Sequence, residues 1–226
     1  MTIALRPYLR VGPLHLKWRT NMVDLIPPPE AIMNILTKTE AYRKGHFVYP
    51  NGKHASHYFQ MPLAFRHYDN ARILSVGLSR MFRMERAIAK ELPQVSVVSP
   101  SPGGIMVAFG VREALSAQQI YWAEMENGKR QFRQYIGSGG DVYPAIIVDD
   151  ILRSGTAIRE TIELVRGLGA EVIGIGTIVA FEDAPLEFEG IPVKSMLKFD
   201  VNFYDTEEAW RSSRSASDAE EETVRF

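Results

Sequence analysis

Apolar residues along this chain alternate between short continuous runs and stretches with helical spacing. Short apolar runs bounded by polar residues indicate buried strands, because strands of a parallel sheet are covered on both faces. Four such runs lie at residues 95–98, 119–123, 145–148 and 172–181. Helical spacing follows the first of them over residues 105–115 and the third from about Ile158. The alternation predicts an α/β fold in which a twisted parallel sheet is flanked by helices.

The pattern before and between these runs is less regular. Helical spacing begins at the three prolines of residues 27–29, and residues 45–60 have the glycine, proline and aromatic content of turns and short strands. We predict that Asp69 caps a long helix that runs to about Lys90. Residues 125–143 are polar and glycine-rich without an apolar period, so we expect a long loop of the kind that often forms a functional lid.

Both ends of the chain differ from the middle in composition. Residues 1–27 mix arginine, tryptophan and proline without a clear period, and we assign them as an N-terminal extension. Residues 28–205 carry the alternating pattern and form the predicted domain. Residues 206–226 are rich in serine and glutamate, which predicts a polar, disordered C-terminal tail.

Composition and charge exclude several classes of protein. The 226 residues are 46% hydrophobic and 23% charged, as in soluble globular proteins. A net charge of −1 gives no indication of a nucleic-acid or membrane-surface partner. The absence of cysteine excludes disulfides and thiol chemistry and favours a cytoplasmic protein. We find no signal peptide, and no apolar run approaches the ~20 residues of a membrane span.

The most informative segment is Ala145–Ala157, with the sequence AIIVDDILRSGTA. The predicted strand is followed by Asp149 and Asp150, and then by a small, hydroxyl-bearing loop at the start of a helix. Unpaired N–H groups and the helix dipole favour a phosphate at such a place. Paired carboxylates accept hydrogen bonds from sugar hydroxyls or hold a metal ion through water. The segment therefore predicts a site for a phosphorylated ribose.

This segment resembles the signature of the type I phosphoribosyltransferases. The resemblance implies that Asp149 and Asp150 bind the ribose hydroxyls of phosphoribosyl pyrophosphate and hold Mg²⁺ through water. It implies a phosphate loop made of Arg153, Ser154, Gly155, Thr156 and Ala157. The implied enzyme transfers ribose 5-phosphate to a nucleobase and releases pyrophosphate. The implied fold is the family's sheet with a small N-terminal hood, built from about residues 28–65.

Two further segments match the remaining parts of such a site. Pro102, Gly103 and Gly104 occupy the place of the family's pyrophosphate loop, where glycines let backbone amides approach an anion. The predicted loop at 125–143 offers cations that would stabilise the leaving pyrophosphate as catalytic residues: Lys129, Arg130 and Arg133. In orotate phosphoribosyltransferases a mobile loop here often reaches across a dimer, so we expect a homodimer.

Residues 45–59 resemble the base-recognition segment of the orotate phosphoribosyltransferases, which serve pyrimidine biosynthesis. Lys53, Tyr58 and Phe59 match its basic turn and aromatic pair, and an aromatic ring can stack on a nucleobase. A core hairpin explains the aromatic pair equally well. The three histidines of this segment, at positions 46, 54 and 57, lack an acidic partner and regular spacing, which argues against a metal site.

Three departures from the orotate pattern leave the acceptor base open. Residues 178–183 lack the arginine that helps hold orotate, Pro50 replaces an expected lysine, and residues 124–126 lack the central arginine of a Glu-Arg-Glu triplet. A purine or another base is therefore a rival acceptor, and a non-catalytic regulator that binds phosphoribosyl pyrophosphate is a rival class. A dinucleotide-binding dehydrogenase is disfavoured, because Gly-x-Gly-x-x-Gly never follows a strand.

Overall fold

The computed structural model describes residues 26–49, 51–132, 142–213 and 223–225. Within these ranges the helices are α1 (Pro29–Lys38), α2 (Pro62–Phe65), α3 (Tyr68–Met84), α4 (Arg86–Ala89), α5 (Ile105–Leu115), α6 (Thr156–Gly167) and α7 (Glu207–Ser212). The strands are β1 (Tyr42–Val48), β2 (His54–Phe59), β3 (Ser96–Ser99), β4 (Gln119–Glu126), β5 (Lys129–Phe132), β6 (Ala145–Leu152), β7 (Val172–Phe181), β8 (Glu187–Phe188), β9 (Ile191–Phe199), β10 (Phe203–Tyr204) and β11 (Thr223–Arg225).

Within the described ranges, the larger sheet has seven strands in the order β5-β4-β3-β6-β7-β9-β8. Its five central strands are parallel, and β5 and β8 add antiparallel edges. Side chains of β6 alternate between two hydrophobic clusters. Ile146 and Val148 belong to the cluster that contains residues of α3 and α5, whereas Ile147 belongs to the cluster that contains residues of α6. The sheet is covered on both faces, which confirms the predicted α/β class.

The N-terminal part of the chain forms the predicted hood. Its sheet has the order β10-β2-β1-β11 among the described residues. Strands β1 and β2 form an antiparallel hairpin, and β10 pairs with β2 by Phe203 opposite Ala55. Strand β10 therefore brings residues from late in the chain into contact with the hood.

Two local predictions were wrong. The extended backbone that precedes α3 belongs to His67, with φ −98° and ψ 120°, so Asp69 lies inside the first turn. A carboxylate there still interacts favourably with the helix dipole. The predicted loop at 125–143 is a hairpin over its described part. Asn127 and Gly128 have φ of +52° and +75°, which suits the tight turn between β4 and β5.

The predicted disorder of residues 206–226 is also wrong for two segments. Helix α7 is capped by Thr206, whose hydroxyl accepts a hydrogen bond of 3.1 Å from the Ala209 amide. Its Trp210 is 1% exposed, stacks on His46 at 3.8 Å between ring centroids, and donates 2.9 Å to Ser56 Oγ. One buried tryptophan thus outweighs the polar composition around it. Strand β11 pairs with β1.

Helices long and apolar enough to cross a membrane are absent from the part of the chain that the structure describes.

Candidate active site

The acid pair lies in β6 itself, two residues before the strand ends at Leu152. Asp149 is 5% exposed, and its Oδ1 accepts hydrogen bonds of 2.7 Å from Ser101 Oγ and 3.1 Å from the Asp150 amide. Asp150 Oδ1 accepts 2.9 Å from the Ile151 amide. Two adjacent carboxylates are therefore held at the carboxyl end of a central parallel strand, where ligands of open α/β sheets bind.

The electrostatics of the pair favour a ligand that donates hydrogen bonds or carries positive charge. Burial raises the pKa of Asp149 well above its usual range, and the neighbouring charge of Asp150 adds to the effect. Burial also raises the pKa of Asp150. Sugar hydroxyls or the water shell of a cation would stabilise the ionised form of both groups.

The predicted pyrophosphate loop lies directly against the acid pair. A Cβ built on Gly103 would stand 2.8 Å from Asp150 Oδ2, and one built on Gly104 would stand 2.5 Å from Asp149 Oδ1. A side chain at either position would displace the carboxylates. Pro102 is exposed in the turn that leads to α5. The two segments that the sequence separates by about 45 residues are thus in contact, which is what one pyrophosphorylated sugar needs.

The predicted phosphate loop begins helix α6. Gly155 has φ +75°, a left-handed conformation that favours glycine, and α6 starts at Thr156. The hydroxyls of Ser154 and Thr156 are 3.1 Å apart. Ala157 lies in the first turn, and its carbonyl accepts 2.8 Å from Thr161 Oγ1. Hydroxyls and N-terminal amides here are suited to an anion.

Arg153 faces different surroundings from the rest of that loop. Its guanidinium carbon lies 3.7 Å from the ring centroid of Phe203 and 6.0 Å from that of Tyr49. Both rings belong to the hood side of the site. Gly155, two residues later, instead packs near Phe188 and Pro185.

The predicted catalytic cations have different environments. Lys129 is exposed on β5. Arg130 has a side chain that is 11% exposed, forms a 2.8 Å ion pair with Glu160 of α6, and donates to the Pro100 carbonyl. Arg130 therefore links the segment before the pyrophosphate loop to helix α6. Its guanidinium is already engaged by these contacts, which differs from the expected free cation. Arg133 lies outside the described residues.

The three residues predicted to recognise the base do not form one surface. Lys53 is ion-paired with Asp205 at 2.5 Å. Burial raises the pKa of Tyr58, and the charge of Asp150 raises it further. Phe59 is 5% exposed and packs against Phe199 at 5.1 Å between centroids. Phe59 is thus a core residue, and its prediction as a base contact is corrected.

Several site residues escaped the sequence interpretation. Ser101 is not among the predicted site residues, although it stands in the Ser-Pro-Ser-Pro segment before the glycines, where a hydroxyl beside an anion loop is a usable signal. Tyr49 and Phe203 lie 154 positions apart and meet at 5.3 Å between centroids. No local pattern predicts that meeting, because β10 reaches β2 only through the tertiary fold.

The residues present fit a magnesium ion that takes most of its ligands from substrate. No group of three or more His, Cys, Asp or Glu side chains that could hold a metal occurs among the described residues. Asp149 and Asp150 offer carboxylate oxygens, which Mg²⁺ prefers, usually together with water and phosphate oxygens. The histidines of the hood have other contacts: His46 Nε2 is 2.7 Å from His54 Nδ1, and its Nδ1 is 2.8 Å from Thr223 Oγ1.

Two anion loops set against one buried acid pair, at the carboxyl ends of a parallel sheet, place the chain in the phosphoribosyltransferase class. The family model described as phosphoribosyl transferase domain matches residues 140–208. The chain is 32% identical over 179 residues to an orotate phosphoribosyltransferase of Caldanaerobacter subterraneus subsp. tengcongensis, covering 79% of this chain and 89% of the relative. It belongs to the orotate phosphoribosyltransferase family, as the sequence predicted.

Two further comparisons agree with that membership. An orotate phosphoribosyltransferase of Thermotoga petrophila is 33% identical over 180 residues, covering 78% of this chain and 89% of the relative. The crystal structure of orotate phosphoribosyltransferase from Aeropyrum pernix aligns with a TM-score of 0.57 and 21% identity, covering 74% of this chain and 93% of that one. The structural likeness concerns the fold, and it confirms the predicted fold class.

Proposed function

We propose that this protein transfers ribose 5-phosphate from phosphoribosyl pyrophosphate to orotate and releases pyrophosphate. The observation that carries the proposal is the direct contact between the acid pair and the pyrophosphate loop, where Gly103 and Gly104 leave no room for a side chain. The names of the similar proteins supply the acceptor, since the relatives above are orotate phosphoribosyltransferases. The reaction belongs to pyrimidine nucleotide synthesis.

The reaction requires the protein to position the reactants and to stabilise charge, and it requires no covalent intermediate with the protein. The bond from C1 of the ribose to the pyrophosphate oxygen breaks, a bond from C1 to a base nitrogen forms, and the proton of that nitrogen is lost to solvent. Asp149 and Asp150 hold the ribose hydroxyls, and the hydroxyl of Thr156 holds the 5′-phosphate. Alignment of the two reactants and stabilisation of the leaving charge account for the rate.

Negative charge on the leaving group needs cations beyond the loop amides. Mg²⁺ held through water by Asp149 and Asp150 would neutralise part of it. Lys129 is the candidate among the described residues, because its side chain is exposed on β5. We assign Arg133 the same role by sequence. Arg130 acts instead as a positioning residue, since Glu160 and the Pro100 carbonyl already occupy its guanidinium.

The acting form that we propose is a homodimer in the cytoplasm. The lack of cysteine favours a reducing compartment. Large hydrophobic side chains are exposed on α3 and α5, with Tyr68 at 76% and Phe109 at 47%. Such residues are enriched where subunits meet. Sedimentation velocity of the purified protein tests the dimer, and a Tyr68→Ser, Phe109→Ser double variant that sediments like the wild type argues against this face.

The activity is tested by pyrophosphate release with phosphoribosyl pyrophosphate, Mg²⁺ and one of five bases: orotate, uracil, adenine, guanine or hypoxanthine. We expect release with orotate, dependence on Mg²⁺, and loss of activity in Asp150→Asn. Glu171→Gln, which changes an exposed carboxylate just before β7 at the amino end of the sheet, is the control that should keep full activity. Pyrophosphate release with a purine alone would make that purine the acceptor in place of orotate. No release with any of the five bases would support a non-catalytic regulator that binds phosphoribosyl pyrophosphate.

A further inference from the structure

The guanidinium of Arg153 has no anionic partner among the described residues. Its side chain is half-buried, and none of the described residues gives it an ion pair or a hydrogen bond. Its contacts are the rings of Phe203 and Tyr49. Other arginines near the site differ in this respect, since Arg130 pairs with Glu160 and Arg159 donates 3.1 Å to the Ser154 carbonyl.

The stacked position leaves the hydrogen-bonding edge of the guanidinium available. An arginine has five N–H donors in a fixed plane, and a ring under one face does not occupy them. A ring contact also holds the plane in one orientation, so little conformational freedom is lost when an anion binds. A half-buried cation of this kind is suited to a bidentate carboxylate or phosphate.

The proposed reaction offers three anionic groups: the 5′-phosphate, the pyrophosphate and the carboxylate of the base. The predicted pyrophosphate loop lies against Asp149 and Asp150. The 5′-phosphate site consists of Ser154, Thr156 and the first amides of α6. Arg153 is turned instead toward Phe203, which belongs to the strand that pairs with the hood. Consecutive residues of one loop therefore serve two sides of the ribose.

Three aromatic rings, those of Tyr49, Tyr58 and Phe203, pack together beside Arg153. Tyr49 meets Phe203 at 5.3 Å and Tyr58 at 5.7 Å between centroids, in edge-to-face geometry. The Tyr49 hydroxyl donates 3.2 Å to the His57 carbonyl, which fixes that ring. An aromatic surface of this kind can take a planar base by ring contact.

We propose that Arg153 binds the carboxylate of the acceptor base and thereby selects an anionic pyrimidine over a neutral one. The inference rests on the proposed function. It makes Arg153 a specificity-determining residue that touches substrate on the base side, rather than part of the phosphate cradle. Substitution of Arg153 should therefore change the selection of the acceptor base and leave the binding of phosphoribosyl pyrophosphate unchanged.

The test compares Arg153→Gln, Arg153→Lys and wild type by steady-state kinetics with orotate and uracil, and by calorimetric titration of phosphoribosyl pyrophosphate. Since a charge-assisted bidentate contact is removed, we expect the KM for orotate to rise by about 30-fold in Arg153→Gln. The preference for orotate over uracil should fall by a similar factor, and Arg153→Lys should recover part of it. The Kd for phosphoribosyl pyrophosphate should stay within about twofold, which also shows that the variant is folded.

The control is Arg211→Ala, which removes another arginine beside an aromatic ring, at 5.9 Å from Trp210 and outside the site. An unchanged KM for orotate in Arg153→Gln, or an equal loss of affinity for phosphoribosyl pyrophosphate, would overturn the role of Arg153 and leave the proposed function standing. A wild-type protein that binds phosphoribosyl pyrophosphate but neither binds nor converts orotate would overturn the proposed function, and this inference with it.

Discussion

Ser101 Oγ donates a 2.7 Å hydrogen bond to Asp149 Oδ1 and so ties the loop after β3 to the acid pair of β6. Ser101 also accepts from the Gly104 amide at 3.3 Å. One hydroxyl therefore fixes the distance between the carboxylates and the glycines of the pyrophosphate loop. The part of the site that binds phosphoribosyl pyrophosphate therefore depends on this link between β3 and β6.

Replacing Ser101 by alanine should weaken the binding of phosphoribosyl pyrophosphate. The buried Asp149 carboxylate loses a donor and the glycine turn loses its anchor, so we expect Kd to rise by about tenfold. Calorimetric titration measures it. Ser212→Ala is the control, since that hydroxyl donates 2.8 Å to a backbone carbonyl on α7. Equal affinities for the two variants would contradict the link.

Asp149→Asn should make the ligand-free protein more stable at neutral pH. Burial raises the pKa of Asp149 in the folded state, so the stability that this carboxyl contributes is present at low pH and is lost as pH rises through that pKa. An asparagine Oδ1 can still accept from Ser101 and from the Asp150 amide. Calorimetric Tm should therefore be higher for the variant at about pH 7, by roughly 2–4 °C for each kcal/mol recovered.

The difference in Tm between Asp149→Asn and wild type should shrink as the pH falls through the raised pKa of the folded carboxyl toward about 4, the usual pKa of the unfolded one, because the carboxyl is then protonated in both states. Asp205→Asn is the matched control, because its hydrogen bond with Lys53 lowers the pKa of Asp205. This variant should therefore change the Tm at neutral pH in the opposite direction, downward. An Asp149→Asn variant that melts below the wild type at neutral pH would show that the ionised carboxylate stabilises the fold.

Arg130→Gln should raise the KM for phosphoribosyl pyrophosphate by about tenfold, because it breaks the contacts that hold the Pro100 loop and α6 together. Glu160→Gln should move KM in the same direction by a smaller factor. Lys129→Gln serves as the control on the same strand, and we expect it to lower kcat with little change in KM. If Arg130→Gln instead lowered kcat alone, Arg130 would act on the leaving group directly.

Trp210→Ala should destabilise the protein strongly although it lies in the polar C-terminal segment. Loss of a fully buried tryptophan costs about 3–5 kcal/mol, and the Ser56 hydroxyl loses its donor. Chemical denaturation gives the change in free energy of unfolding. The neighbouring Arg211→Ala is the control, with its side chain 63% exposed. A Trp210 variant as stable as that control would mean that α7 does not hold the hood.

The parts of the fold that the sequence predicts are those governed by local periodicity. Strand β6 and helix α5 follow from their apolar runs. Helix α5 begins and ends where predicted, whereas β6 begins where predicted but continues past Val148 to Leu152 and so contains the acid pair. The phosphate loop follows from the chemistry of Ser154 and Thr156 beside a glycine. Asn127-Gly128 is also a local turn signal, but the polar residues on both sides of it lack the apolar pattern that would predict a hairpin.

The parts that escaped prediction depend on contacts between distant residues. Phe59 and Tyr58 are adjacent and both aromatic, yet only the packing of β2 on Phe199 decides which ring is buried. The orientation of Arg153 depends on Phe203, fifty positions later. Trp210 is buried because His46 offers a stacking partner. Sequence patterns predict which residue types such a site contains, whereas tertiary contacts decide which way each side chain points.

The most direct test of the account is calorimetric titration of phosphoribosyl pyrophosphate, with Mg²⁺, into wild type, Asp150→Asn and the exposed control Glu171→Gln. We predict one site per chain in the wild type and the control, and an affinity at least about tenfold weaker in Asp150→Asn, because hydrogen bonds to a carboxylate are lost. An unchanged affinity in Asp150→Asn would contradict the assignment of the acid pair and the two loops as the site of the sugar donor.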